Sequence, residues 1–419
     1  MSGRSVRRYR LFEVVGLELE YVIVDRDLRP RCLLDEAFRA VNGRPTSDIE
    51  YRNVGFSNEL AAHVFEIKTL APLRSLARIE GDLVEGLRYF AGLLRDRFDA
   101  RLLPTGMHPF MRPSETRLWQ RAGRAIYETY ANIFSLVDHG WLNVQASHVN
   151  LPFGSEPETV AMHNALACLL PYLPALAASS PIYEGRLGPS MDNRLEFYRH
   201  NQRRFPIITA DIIPEFVTSY SDYRRRIFRP IRESLDGSPG AERLNAEWVN
   251  SRGAIMRFSR DALEIKLLDT QECIKADVAI AVFVRGALRH LVRRLQNGTL
   301  TLPEHSILVE DLNATIRDGS RAEVRAYHLR PRTGREQGTT AARSVLGTLL
   351  DLAVHEVSAD EQPYLSIVED RVRRGSLAER IVRQVNRRSE RRGIEIADAV
   401  RSVYAELADC LEHNTPWNS

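Results

Sequence analysis

The stretch Glu13-Val14-Val15-Gly16-Leu17-Glu18-Leu19-Glu20-Tyr21-Val22-Ile23-Val24 alternates with a period of two. Side chains along a strand point to opposite faces in turn, so Leu17, Leu19, Tyr21 and Ile23 share one face and Glu18 and Glu20 the other. One segment thus predicts a strand with an apolar side to bury and an acidic side to use.

The design recurs. In 63–69, Phe65 and Ile67 oppose Glu66 and Lys68. Around 142–152, Val144, Ala146, His148 and Asn150 fall on one side. Within 254–269, Leu263, Ile265 and Leu267 oppose Glu264 and Lys266. Between these segments, Leu76, Ile79, Leu83, Leu87, Phe90 and Leu94 recur at helical spacing. Residues 158–178 read as a buried apolar helix bent near Pro171 and Pro174, and 275–296 as another helix. Residues 179–216 read as irregular and 331–340 as a linker. Helices are expected at 341–357, 376–389 and 394–412. The expected partition is a catalytic domain over 1–330 and a helical C-terminal extension over 341–419.

Composition narrows the class. With 44% apolar and 27% charged residues, the chain can build a core. The net charge of +3 provides no general field for nucleic acid or membrane. Four cysteines without paired spacing favour neither a disulfide scaffold nor a zinc site. The basic start gives way to Glu13, Glu18 and Glu20, so a soluble cytoplasmic protein is expected. Only Lys68, Lys266 and Lys275 are lysines, against 55 arginines, so each lysine stands out from the chain's ordinary choice of cation.

Antiparallel sheets commonly bury one face and wet the other. If these strands lie side by side, Glu18, Glu20, Glu66, His148 and Glu264 converge on the wet face. Taken singly, each Glu-x-Glu or Glu-x-Lys also reads as a solvated face or a cross-strand charge pair. Same-face residues on a strand stand roughly 6–7 Å apart, so Glu18 and Glu20 suit neighbouring metal ions. Carboxylates with one imidazole fit Mg²⁺ or Mn²⁺ better than zinc. Like charges so gathered need counter-cations, which divalent metal with a nucleotide triphosphate would balance. No P-loop, dinucleotide-binding glycine motif or Gly-x-Ser-x-Gly elbow is present.

Gly16-Leu17-Glu18-Leu19-Glu20-Tyr21 with Val24-Asp25 resembles the opening strand of the bacterial glutamate–cysteine ligase family 2, the carboxylate–amine ligases. Glu59 with Phe65-Glu66-Ile67-Lys68-Thr69 resembles its second acidic strand, and Gly106-Met107-His108-Pro109-Phe110 its Gly-x-His-Pro segment. Ser147-His148-Val149-Asn150 stands where the family has His-Val-His. Ser180-Pro181 through Gly185 with Asn193-Arg194, and Leu263-Glu264-Ile265-Lys266-Leu267-Leu268-Asp269, resemble two later segments. The six occur in family order over about residues 13–290.

The resemblance implies an α+β, glutamine-synthetase-like fold. A curved antiparallel sheet would hold ATP and Mg²⁺ on its concave face, with helices on the other. It implies that ATP phosphorylates a carboxylate and that an amine attacks the acyl phosphate, giving an amide; glutamate and cysteine are the first pair. By position, Glu18, Glu20, Glu66, His148 and Glu264 are expected at the metals, and His148, Asn150 and Lys68 at the nucleotide. Arg194, Arg257 and Lys266 are expected at phosphoryl or carboxylate oxygens.

Two departures bear on the substrate. Asn150 replaces a family histidine, and Lys266 stands where the family favours arginine, losing the planar fork. A homo-oligomer, with a dimer favoured, is expected, and no nucleic-acid or membrane partner. Other readings are a ligase for a different carboxylate and amine, a phosphotransferase of related fold, and a non-catalytic binding protein. Nucleic-acid binding through Tyr223-Arg224-Arg225-Arg226 or the arginines of 387–392 is the remaining one, against a reading of solvated helix faces.

Overall fold

The structure, a computed structural model, describes residues 9–121, 124–329 and 338–418; most of the expected linker, 331–337, lies outside them. The period-two stretch forms β1 (Gly16–Val24), with its apolar set Leu17, Leu19, Tyr21 and Ile23 fully buried. Seven strands join it in one sheet: β2 (Asp48–Tyr51), β3 (Val54–Asn58), β4 (Val64–Thr69), β5 (Arg101–Leu103), β6 (Ala146–Pro152), β9 (Ala254–Arg257) and β10 (Ala262–Asp269). A separate hairpin, β7 (Ile182–Tyr183) with β8 (Arg186–Leu187), stands apart from it. The order is β2-β3-β4-β1-β6-β10-β9, with β5 pairing β1 off that path, and every pairing is antiparallel.

Register decides which side chains meet. Glu18 lies opposite Lys68 on one side and His148 on the other, and Glu20 lies opposite Glu66. Glu264 pairs with Asn150, and Ser57 with Glu66. In β10 the register slips between Ile265 and Leu268, where two residues face one on β6. This bulge buries Leu267 and Leu268 together, whereas simple alternation would have separated them.

The apolar face packs on the helix Leu76–Phe98, which presents Leu76, Ile79, Leu83, Leu87, Phe90 and Leu94 as its stripe predicts. A Cβ at Gly86 would lie 2.5 Å from the Val54 side chain and 3.1 Å from that of Ile67, so the glycine permits this close approach. Ile274–Gln296 lies in the same core. The expected helix at 158–178 is three pieces: Glu156–Leu169, a 3₁₀ turn at Leu170–Tyr172 and a short helix at Pro174–Ala177. Pro171 and Pro174 each lack the N–H that would have continued it.

The C-terminal helices divide between two cores. Ala342–Ala353 and Gln362–Arg374 join the main one. Leu377–Arg392 and Ile396–His413 instead cover Val22 and Val24, on the same side of β1 as Glu18 and Glu20. One strand face is thus acidic at its start and apolar where these helices cap it. Gln362–Arg374 and His305–Asp318 are helices that the sequence reading left unassigned. Among the described residues, no helix is long and apolar enough to cross a membrane.

Candidate active site

The acidic ends of β1 and β4, with β6 and β10, floor a cavity of about 610 Å³. Glu18, Glu20, Glu66, His148 and Glu264 all line it, as do Lys68, Arg194, Arg257 and Lys266. Strands remote in sequence therefore aim these groups into one hollow.

Among the described residues, two groups have ligand atoms within 4.8 Å of one another: Glu18 with Glu66 and His148, and Glu20 with Glu59 and Glu66. Glu66 belongs to both. All donors but one imidazole are carboxylate oxygens, the chemistry that Mg²⁺ and Mn²⁺ prefer. The residues therefore fit one or two such ions.

Hydrogen bonds fix the carboxylates. Glu18 Oε2 lies 3.2 Å from His148 Nδ1, and Glu18 Oε1 accepts from Asn150 Nδ2 at 3.2 Å. Glu20 Oε2 accepts from the Ala146 amide at 2.8 Å. Glu66 Oε1 accepts from Ser57 Oγ at 2.5 Å and Lys68 Nζ at 2.9 Å. Burial would lift Glu18, but the hydrogen bond and charge of His148 outweigh it and hold the carboxyl below its usual range. Burial raises Glu20. It raises Glu59 further, helped by the neighbouring charges of Glu20 and Glu66. Opposite directions within one cluster are what crowded like charges produce.

Glu264 departs from the expectation. It stands outside both groups, and its carboxylate is engaged by Arg257 Nε and by Lys266 Nζ at 3.3 Å. Burial opposes its charge, yet Lys266 and Arg257 overcome that and depress it strongly. Lys266 is raised in return: burial works against the ammonium, and Glu264 more than compensates. Lys68 likewise serves Glu66 directly.

The two arginines expected at phosphoryl oxygens line the cavity and also hold protein groups. Arg194 donates from Nε to Asp269 and from one Nη to the Leu267 carbonyl. Asp269 also accepts from the Ser179 amide at 2.7 Å and from Ser180 Oγ at 2.8 Å. Arg257 donates to Glu264 and to the Glu247 carbonyl, with its guanidinium 4.5 Å from the Trp248 ring centre. Both are buried and hold walls in place.

Sequence reasoning missed Glu59 as a ligand and Arg260 entirely. Glu59 was legible only through its family neighbourhood, because it precedes β4 on a loop without periodicity. Arg260 gave no signal among 55 arginines. By contrast, two of the three lysines, Lys68 and Lys266, line the cavity. In the arginine run at 224–226, Arg224 lies 4.1 Å from the Phe258 ring centre, Arg225 pairs with Asp222, and Arg226 donates to the Phe216 carbonyl.

His108 of the Gly-x-His-Pro segment has a turn-holding role. Its Nδ1 accepts from the amides of Phe110 at 3.0 Å and Met111 at 2.9 Å, so Nε2 carries the proton and donates to the Leu28 carbonyl at 2.7 Å. Burial lowers its pKa to about 4. The unfolded chain takes up a proton near pH 6.5 and the folded one only near 4, so stability is full above about 6.5 and is lost as pH falls towards 4. On the order of 3 kcal/mol rides on this group. Urea midpoints measured from pH 7 to 4 should fall, and His108→Asn should flatten that fall; an unchanged slope would refute the assignment.

The chain matches the model of glutamate–cysteine ligase family 2 over residues 14–406. A protein of Archaeoglobus fulgidus, itself described as uncharacterized, is 36% identical over 401 residues, covering 96% of this chain and 99% of that one. The glutamate–cysteine ligase of Francisella tularensis, solved in complex with AMP, superposes with a TM-score of 0.59 at 12% identity, over 96% of this chain and 90% of that one. A bifunctional glutathione synthetase from Pasteurella multocida gives 0.61 at 14% identity, over 94% of this chain and 53% of the longer one. These structures share the α+β, glutamine-synthetase-like fold. By the extent of the family match and of its archaeal relative, the chain belongs to glutamate–cysteine ligase family 2, among the carboxylate–amine ligases.

Proposed function

We propose that this chain is an ATP-dependent ligase that joins a carboxylate to an amine through an acyl phosphate, with glutamate and cysteine the first pair to test. The observation that carries the reading is the convergence of Glu18, Glu20, Glu59, Glu66 and His148 in one cavity that Lys68, Arg260 and Lys266 also line. Anionic donors beside two half-buried lysines and an exposed arginine suit a ligand that brings both divalent cation and phosphate. The crystallisation of a solved ligase of this fold with AMP supports a nucleotide as that ligand.

In this reading Glu18, Glu66 and His148 would hold one divalent ion and Glu20, Glu59 and Glu66 a second. Such ions neutralise the charge of the transferring phosphoryl group. Glu66 would serve both ions, and Lys68 with Ser57 holds Glu66 in place. Arg257 and Lys266 keep Glu264 ionised, and Lys266 turns its point charge to the phosphoryl or carboxylate oxygens. Tyr127, Trp141, Tyr198 and Trp248 line the remaining walls.

The test is incubation with ATP, Mg²⁺, glutamate and a pool of amines, followed by mass spectrometry. The expected product is lighter than its summed reactants by one water, with ADP and phosphate released. A stable phosphorylated product without amide would favour a phosphotransferase instead. Lys266→Arg should keep measurable turnover if the residue acts as a charge, and total loss would point to a size-limited pocket.

A further inference from the structure

The cations around the carboxylates differ in what they can do. Arg194 and Arg257 are buried and bound on more than one side. Arg260 sits on the turn between β9 and β10 with its side chain 48% exposed. One of its nitrogens donates to Glu18 Oε1 at 3.3 Å, the oxygen that also accepts from Asn150. Its guanidinium lies 4.9 Å from the centre of the Trp248 ring, and that tryptophan is itself 47% exposed at the cavity.

We propose that Arg260 is an exchangeable cation: it competes with a divalent ion for Glu18 and, displaced from it, swings across Trp248 to the phosphate oxygens of the nucleotide. The inference rests on the metal and nucleotide reading above and adds a residue that the family resemblance did not bring forward. The physical reason is repulsion. Glu18 gives Oε1 to Arg260 and Oε2 to His148, so an ion held there with His148 would stand within a few ångströms of the guanidinium on the same carboxylate. Arg260 has a low-cost exit, because an aromatic face supports a guanidinium over a range of positions and the solvent-exposed ion pair it leaves is weak. The phosphate offers a new partner to the whole guanidinium fork of Arg260, whereas Arg194 and Arg257 already give two of their nitrogens to protein acceptors.

The experiment compares the wild-type chain with Arg260→Gln, using Mn²⁺ alone and then ADP at saturating Mn²⁺. Electron paramagnetic resonance reads free Mn²⁺, and calorimetry reads ADP. Removing the competitor should tighten Mn²⁺ binding by about 2–5-fold, the size of an exposed ion pair. Removing the phosphate contact should weaken ADP by about 10-fold or more. Arg260→Lys should restore the Mn²⁺ affinity of the wild type and recover part of the ADP affinity. Equal or weaker Mn²⁺ binding in Arg260→Gln, or unchanged ADP binding, overturns the proposal alone. Failure of the wild-type chain to bind Mn²⁺ overturns it together with the metal reading.

Discussion

Glu66→Gln should abolish amide formation, by about 10³-fold or more, while the far-UV dichroism stays native. Glu66 is the carboxylate common to both candidate metal groups, so its loss removes a ligand from each. Glutamine keeps the shape and still accepts from Ser57 and Lys68, which leaves the strand pairing of β4 with β1 and β3 intact. It removes the charge, and oxygen-ligated Mg²⁺ depends on charge. Glu18→Gln, which touches one group, should cost less, about 10²-fold. Mn²⁺ titration should show both sites weakened in the first variant and one in the second. Full turnover in Glu66→Gln would remove the metal assignment.

Asp269→Asn should destabilise the chain by about 3–5 kcal/mol, read as a lowered urea midpoint. Asp269 is almost fully buried and holds Arg194, which is buried beside it. Making the carboxylate neutral removes the partner of a buried guanidinium. The amide must also face Ser179 N–H and Ser180 Oγ, which now donate to the carboxylate. The packing leaves no room for adjustment, since a Cβ placed on Gly106 would lie 2.3 Å from the Asp269 carboxyl carbon. Arg194 lines the cavity, so turnover should fall with stability. A midpoint within error of wild type would mean that the pair contributes little and that Arg194 is available for substrate.

The contrast between these two residues shows what could be read before folding. Glu66 was legible because Phe65 and Ile67 flank it and must be buried, which turns Glu66 to the other face. Asp269 lies at the end of such a strand, but its partner Arg194 comes from the helix Asn193–Tyr198 inside a stretch that carries no period. Arg194 and Arg257 were expected at the ligand for their chemistry, and the structure places both at the cavity while pairing them with Asp269 and Glu264.

The residues alone settled the faces: hydrophobic alternation in 13–24, 63–69 and 254–269 obliges each strand to bury one side, and the carboxylates follow on the other. Periodicity is a property within one element, so it could not say which strand lies beside which, that a bulge buries Leu267 with Leu268, or that Glu59 reaches the cluster from a loop. Those outcomes depend on contacts between segments far apart in the chain, as does the division of one strand face between Glu18 and Glu20 at one end and Val22 and Val24 under the last two helices at the other.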